Sequence, residues 1–341
     1  MKLINAPVFR GVAQDHLRSN FYGVEIELEG YEGDWEWAGS DGSQNWSLVD
    51  DPSLRNGIEM VSRKLTQPRL KIALNQAQDA IDYMGLTSES RCGIHVHVNM
   101  LNLNWGQMWS FIALYSFMEP EIFAKFAPER HDNHFCVPMY WNTKMCSDLG
   151  RDINMLRSFN VGDIPMTDPR KVKKRKKLHY VPGGTFTVSA ATQAAQAMHT
   201  LEQAVQYTPP PMYGGGGNKR WYPLKQYMSS LGRYKYGALT LYRMPDLGTV
   251  EIRLLPGTTD MAKIKKWVAL IARIKHMAYK YPEPLDLQKH YERHGPAHIW
   301  RELKMGPRPY TTSTNKDDAE ECAYKIIGTK PADKSDFDWN I

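Results

Sequence analysis

The sequence predicts an α+β fold built on a mainly antiparallel sheet with helices packed on one side. Three observations lead there. Several segments alternate apolar and polar residues with the period of two that marks a half-buried strand. Two of these segments are joined by a Pro/Gly turn, which reads as a hairpin. Strands also outnumber what a regular strand–helix alternation would supply.

The elements follow in order. From Val24 the stretch Phe21–Glu29 alternates strictly, so Glu25, Glu27 and Glu29 share one strand face and Val24, Ile26 and Leu28 the other. An acidic loop rich in Gly, Asp and Trp occupies 30–45 and leads to candidate strands Trp46–Val49 and Gly57–Ser62. Pro68 opens a helix to about Tyr83, with Gly85 placed to stop it. Cys92–Asn99 alternates again, putting His95 and His97 on one face. Asn104 caps an apolar helix to about Phe126, and a shorter helix covers roughly 148–159. Tyr236–Tyr242 and Thr249–Leu255 form the hairpin around Pro245–Gly248, with Glu251 and Arg253 sharing a face. An amphipathic helix runs from about Met261 to Tyr279, and the last 35 residues read as a partly ordered tail. The domain reading is a main domain over 1–285, interrupted by a basic, Gly/Pro-rich insertion at about 160–220, and a C-terminal helix and tail over 286–341.

Composition narrows the function classes. The chain has 341 residues, 42% of them hydrophobic and 23% charged, which is ordinary for a soluble globular protein. The net charge of +6 is small against 43 basic and 37 acidic residues, and much of it sits in one run, Arg170–Lys177. A general nucleic-acid coat is therefore not implied, although this run offers a local contact for a polyanion. No signal peptide or membrane span is legible, and the expectation is a soluble, cytoplasmic protein. Four cysteines without a CxxC pair are expected to be reduced thiols.

Charged or imidazole groups on one strand face can simply point to water. Three strands that each carry ligand-type residues at i, i+2, backed by aliphatics that demand burial, point instead to a metal site. The candidate ligands are Glu25, Glu27, Glu59, His95, His97 and Glu251. Carboxylates dominate and no thiolate pair is present, which suits Mg²⁺ or Mn²⁺ better than zinc. Arg253 beside Glu251 makes chemical sense where a phosphate shares the metal.

In order along the chain, Gly23-Val24-Glu25-Ile26-Glu27, Glu59-Met60-Val61-Ser62, Gly93-Ile94-His95-Val96-His97-Val98, Arg233-Tyr234 and Thr249-Val250-Glu251-Ile252-Arg253 resemble the motifs of the amidoligases. Arg130, Asn133 and Cys136 are similar to that family's Arg-x-x-Asn-x-x-Cys element. Amidoligases are ATP-dependent carboxylate–amine ligases related to glutamine synthetase and glutamate–cysteine ligase. The resemblance spans roughly 20–260 and implies a glutamine synthetase-like half-barrel that uses ATP with Mg²⁺ or Mn²⁺. It implies one metal on Glu25, His95 and Glu251, and a second on Glu27 and Glu59, with Asp51 a candidate to complete it. It gives Arg253, Arg130 and Arg233 roles on phosphate, with Asn133 beside the nucleotide. The reaction implied is activation of a carboxylate as an acyl phosphate and its capture by an amine, on small-molecule or peptide substrates.

Two other classes stay open at this stage. One is a metal-dependent hydrolase using the HxH and acidic strands. The other is a nucleic-acid-binding or structural protein that uses the basic run. Cys136, near His131 and His134, reads as a buried structural thiol rather than a nucleophile. His97 is either a ligand or a group behind one. No P-loop motif is present.

Overall fold

The computed structural model describes residues 20–30, 45–100, 102–130, 236–241 and 247–330, together with 133, 136–141, 146–147, 149 and 243. The proposed insertion at 160–220, the basic run Arg170–Lys177, the short helix at 148–159 apart from Leu149, Arg233, and His131 with His134 lie outside the described residues.

Among the described residues seven strands form one open sheet, and every pairing between them is antiparallel: β1 (Phe21–Glu29), β2 (Trp46–Asp50), β3 (Gly57–Ser62), β4 (Leu65–Thr66), β5 (Gly93–Asn99), β6 (Leu239–Thr240) and β7 (Thr249–Pro256). The order is β2-β3-β1-β5-β7-β6, with β4 also pairing β1. Together with the five α-helices among the described residues this makes a mixed helix–strand fold with an antiparallel sheet, as expected. β1 and β5 are the central strands, and the two most ligand-rich segments are therefore neighbours. The alternation in their sequences has the expected outcome. Val24, Ile26 and Leu28 are fully buried on one face, as are Ile94, Val96 and Val98, while Glu25, His95 and His97 occupy the other.

The helices are α1 (Gln67–Met84), α2 (Trp105–Phe126), α3 (Met261–Lys280), α4 (Pro284–Glu302) and α5 (Ser313–Ile327). α1, α2 and α3 contact the strands β1, β7 and β5 respectively. Their boundaries follow the chemistry of helix ends. Pro68 stands in the first turn of α1, and Gly85 closes it with a left-handed φ of 63°. Asn104 Oδ1 accepts from the Gln107 amide at 2.7 Å while the Asn104 amide donates to Gln107 Oε1 at 2.9 Å, a reciprocal capping box. Asp260 accepts from Ala262 and Lys263 at the start of α3. α2 is buried without a break from Met108 to Phe123, because it lies between the sheet and α4 with α5.

The described part of the C-terminal region, read as a helix and a partly ordered tail, holds two helices, α4 and α5. α5 is an ordered helix against α2, with Thr312 as its cap and Gly328 in the left-handed region at φ 78°. Its buried residues Ala319, Cys322, Ala323, Ile326 and Ile327 form a helical stripe. Charged residues such as Asp318, Glu320 and Glu321 stand among them and hide that stripe in the sequence. Trp109 Nε1 donates to the Ile326 carbonyl at 2.7 Å, tying the helix to α2.

The cysteines bring a correction. Cys146 and Cys322 form a disulfide across 176 residues of sequence, and Cys92 and Cys136 are buried free thiols. The fold brings the first two Cα atoms to 5.4 Å, a proximity that no spacing along the chain can reveal. No helix among the described residues is long and apolar enough to cross a membrane.

Candidate metal and phosphate site

The open face of the sheet carries a cleft of about 440 Å³. Five carboxylates line it (Glu25, Glu27, Asp51, Glu59 and Glu251), with His95 and four guanidinium groups, Arg91, Arg130, Arg243 and Arg253. Strand register explains the convergence. Glu25 pairs with His95, Glu27 with Glu59, and His97 with Glu251, so side chains distant in sequence become cross-strand neighbours.

A register shift matters as much. Ile94 faces Leu255 while Val96 faces Ile252, so Arg253 and Leu254 together oppose the single residue His95. This bulge turns the strand locally, at the rim of the cleft and next to its arginine. The alternation pattern contains no sign of it.

His95 is the hub. Its Nδ1 lies 3.2 Å from Glu25 Oε2 and 3.8 Å from Glu251 Oε1, and its Nε2 lies 3.6 Å from Glu27 Oε1. His97 places Nε2 3.0 Å from Glu25 Oε1 and Nδ1 3.2 Å from Thr249 Oγ1. One ligand atom each from Glu25, His97 and Glu251 falls within 4.8 Å of the others, as does one each from Glu25, Glu59 and His95. Five of the six expected ligands fall in these two sets, and Glu27 belongs to neither but adjoins His95. Their grouping differs from the one the resemblance implies: Glu25 belongs to both sets, and His97 stands with Glu251.

Titration directions reflect crowding. Burial pushes the Glu59 carboxyl up to about 8, assisted by the neighbouring charges of Glu25, Glu27 and Asp51. Burial also raises Glu27. At Glu25 burial would act the same way, but hydrogen bonds from His95 and His97 outweigh it and hold the carboxyl well below its usual range. Carboxylates packed this tightly fit a cation between them, because without one a proton must relieve the repulsion.

The arginines divide. Arg253 Nη1 donates to Glu251 Oε1, while its buried Nε has no hydrogen-bond partner among the described residues. Arg130 reaches the cleft wall but gives its donors to backbone: Leu255 O at 2.9 Å, Cys92 O at 3.0 Å and Arg253 O at 3.3 Å. It clamps the end of β7 to the start of β5. Asn133 stands one turn on, its amide donating to Arg130 O at 3.0 Å, and its carbonyl accepts from the Cys136 amide at 3.1 Å. Cys136 is fully buried, which pushes its thiol up to about 12 and leaves it inert, in line with the structural reading. Gly93 makes room for these groups. A Cβ there would lie 3.1 Å from both Glu27 Oε2 and His95 Nε2.

Sequence reasoning passed over Arg91, Arg243, Ser53 and Tyr236 on the cleft wall. Arg91 had a signal, since it continues the odd-numbered run of Gly93, His95 and His97. Arg243 had none beyond its place in the turn before β7. Glu29, by contrast, leaves the site: its Oε1 accepts from the Arg55 amide at 2.9 Å and so fixes the loop after β2. Beside the cleft lies a smaller hollow of about 230 Å³, lined by Phe21, Gly23, Val61 and Leu247 among others, with Glu25 on the shared wall.

No protein-family model matches this chain. A search of curated proteins likewise finds no match.

Proposed function

We propose that the cleft binds two divalent cations and the phosphates of ATP, and that the protein is a carboxylate–amine ligase of the amidoligase kind. One observation carries this reading: five carboxylates and four guanidinium groups meet in one concave site. Carboxylates alone would serve many metal enzymes. Arginines among them call for an anion, and a phosphate chain satisfies both sets at once. A metal-dependent hydrolase has less need of such a clamp. The open antiparallel sheet is compatible with a glutamine synthetase-like half-barrel, and ATP use suits a cytoplasmic protein.

The donor set fits Mg²⁺ or Mn²⁺, since hard oxygen ligands predominate and one or two imidazoles accompany them. Glu25, His97 and Glu251 would hold one ion, and Glu25, Glu59 and His95 the other. Bound there, the cations would neutralise phosphate charge and polarise the transferring group. The chain's own side chains do the rest. Arg253, whose buried Nε has no partner among the described residues, would take up negative charge as the γ-phosphoryl group moves to a substrate carboxylate. Glu27 and Asp51 border the side left for that carboxylate. An amine then displaces phosphate from the acyl carbon. The apolar hollow offers a dry surface to a flat or apolar group.

ATP with Mg²⁺ should raise the melting temperature of the full chain. At a ligand concentration of 100 Kd the stabilisation is about 2.7 kcal/mol. Glu27→Gln should abolish ADP release in a screen of carboxylates and amines, and Arg253→Ala should slow it by roughly 10²–10³. A wild-type chain that shows neither a thermal shift nor ADP with any substrate pool is not such a ligase.

A further inference from the structure

α4 is interrupted at Gly295, where φ of 71° and ψ of 170° leave the helix, and Pro296 begins the second half. Glycine tolerates that left-handed φ, and the corner folds the helix back on itself. In a straight helix His290 and Glu302 would stand roughly 18 Å apart. Here His290 Nε2 lies 2.7 Å from Glu302 Oε2. His298 Nε2 is 3.9 Å from the same oxygen. The His294 ring sits 4.7 Å from that of His290 and 4.6 Å from that of His298, between centroids.

We propose that His290, His298 and Glu302 form a binding site for a divalent transition metal, zinc foremost, that pins the two halves of α4 together. The site is separate from the cleft, because α4 packs on α2 and α2 lies on the helical side of the sheet. One ligand atom from each of the three residues already falls within 4.8 Å of the others. Tetrahedral zinc with bonds near 2.0–2.1 Å needs ligand atoms about 3.3 Å apart, and the two separations above bracket that value. Two imidazoles select zinc, copper or nickel over the magnesium favoured by the cleft. His294 or a water closes the fourth position.

The surroundings also suit a clamp. Tyr281 stacks on His290 with centroids 4.8 Å apart and fixes the plane of that ring. Lys280 Nζ holds Glu302 Oε1 at 2.9 Å, which leaves Oε2 facing the imidazoles. Lys280 and Arg301, whose Nη2 lies 3.5 Å from His298 Nδ1, both carry charge that opposes a cation. Both side chains reach solvent, so their repulsion is screened and weakens the site without closing it.

The test uses the full-length chain, stripped with chelator and kept in excess Mg²⁺. Zn²⁺ is titrated calorimetrically, and Co²⁺ is followed by visible absorption. Wild type should take up one equivalent of Zn²⁺ that Mg²⁺ does not displace, and Zn²⁺ should raise its melting temperature. His298→Ala and Glu302→Gln should each bind Zn²⁺ at least tenfold more weakly and lose the thermal shift, with metal-free circular dichroism unchanged. The double variant Glu25→Ala, Glu251→Ala should keep the equivalent. The proposal is overturned if folded wild type takes up no Zn²⁺, if both α4 variants bind as wild type does, or if only the cleft variant loses the metal.

Discussion

Glu119 shows how one residue can make stability depend on pH. It is fully buried in α2, and its Oε2 accepts from the Met139 amide at 2.8 Å and the Tyr140 amide at 3.3 Å. Burial pushes its carboxyl up to about 8 despite those hydrogen bonds. The folded chain thus holds a proton on Glu119 that the unfolded chain releases above the ordinary carboxylate range. Its contribution to stability is complete below about 4.5 and declines as pH rises towards about 8. Glu119→Gln keeps an acceptor for the two amides and removes the charge. Urea unfolding at pH 6 and pH 9 should find the variant's stability relative to wild type clearly greater at the higher value, because the decline has only begun at pH 6 and is complete at pH 9. Equal differences at both pH values would show that Glu119 is ionised in the fold throughout. At this scale the sequence was informative where period two governed. Glu25, Glu27, His95, His97 and Glu251 could be placed on one face because a strand allows only two. Glu119 gave no such sign, since a carboxylate in an apolar helix looks the same before its backbone partners are known.

Elements were legible to the extent that their ends were chemically marked. Pro68, Gly85 and Asn104 each announced a helix boundary that the structure confirms within a residue or two. The bulge in β7 was not legible, because an extra residue in a strand changes hydrogen bonding without changing composition. It places Arg253 and Leu254 against His95, and Arg130 secures the strand just beyond it. Arg130 is buried, and its donors to three carbonyls hold β5 and β7 in that register. Arg130→Met should therefore cost about 2–4 kcal/mol of stability, from buried acceptors left unpaired. Chemical denaturation measures this directly. A loss of ATP response with unchanged stability would instead make Arg130 primarily a phosphate ligand.

The whole molecule rests on contacts between segments that lie far apart in sequence, and here the sequence was least legible. The disulfide is the clearest case. Alkylation of the denatured, unreduced chain should modify two thiols, Cys92 and Cys136, and prior reduction should expose all four. Reduction should lower stability by about 2–4 kcal/mol, since the bond restrains a long loop in the unfolded chain. Four reactive thiols without reductant would mean that Cys146 and Cys322 stay apart, as a cytoplasmic setting favours.

The bridge between Val137 and Gly237 has its own consequence. The Val137 amide donates to Tyr236 O at 2.8 Å and the Ala238 amide to Val137 O at 2.9 Å, so two segments far apart in sequence meet at one point. The entropy of closing such a loop grows only with the logarithm of its length, by about 0.6 kcal/mol per doubling. Met139, Tyr140, Cys146 and Leu149 are held in the core, so a change of length costs little closure entropy only where it falls between Leu149 and Tyr236. The cleft would keep its geometry through such a change.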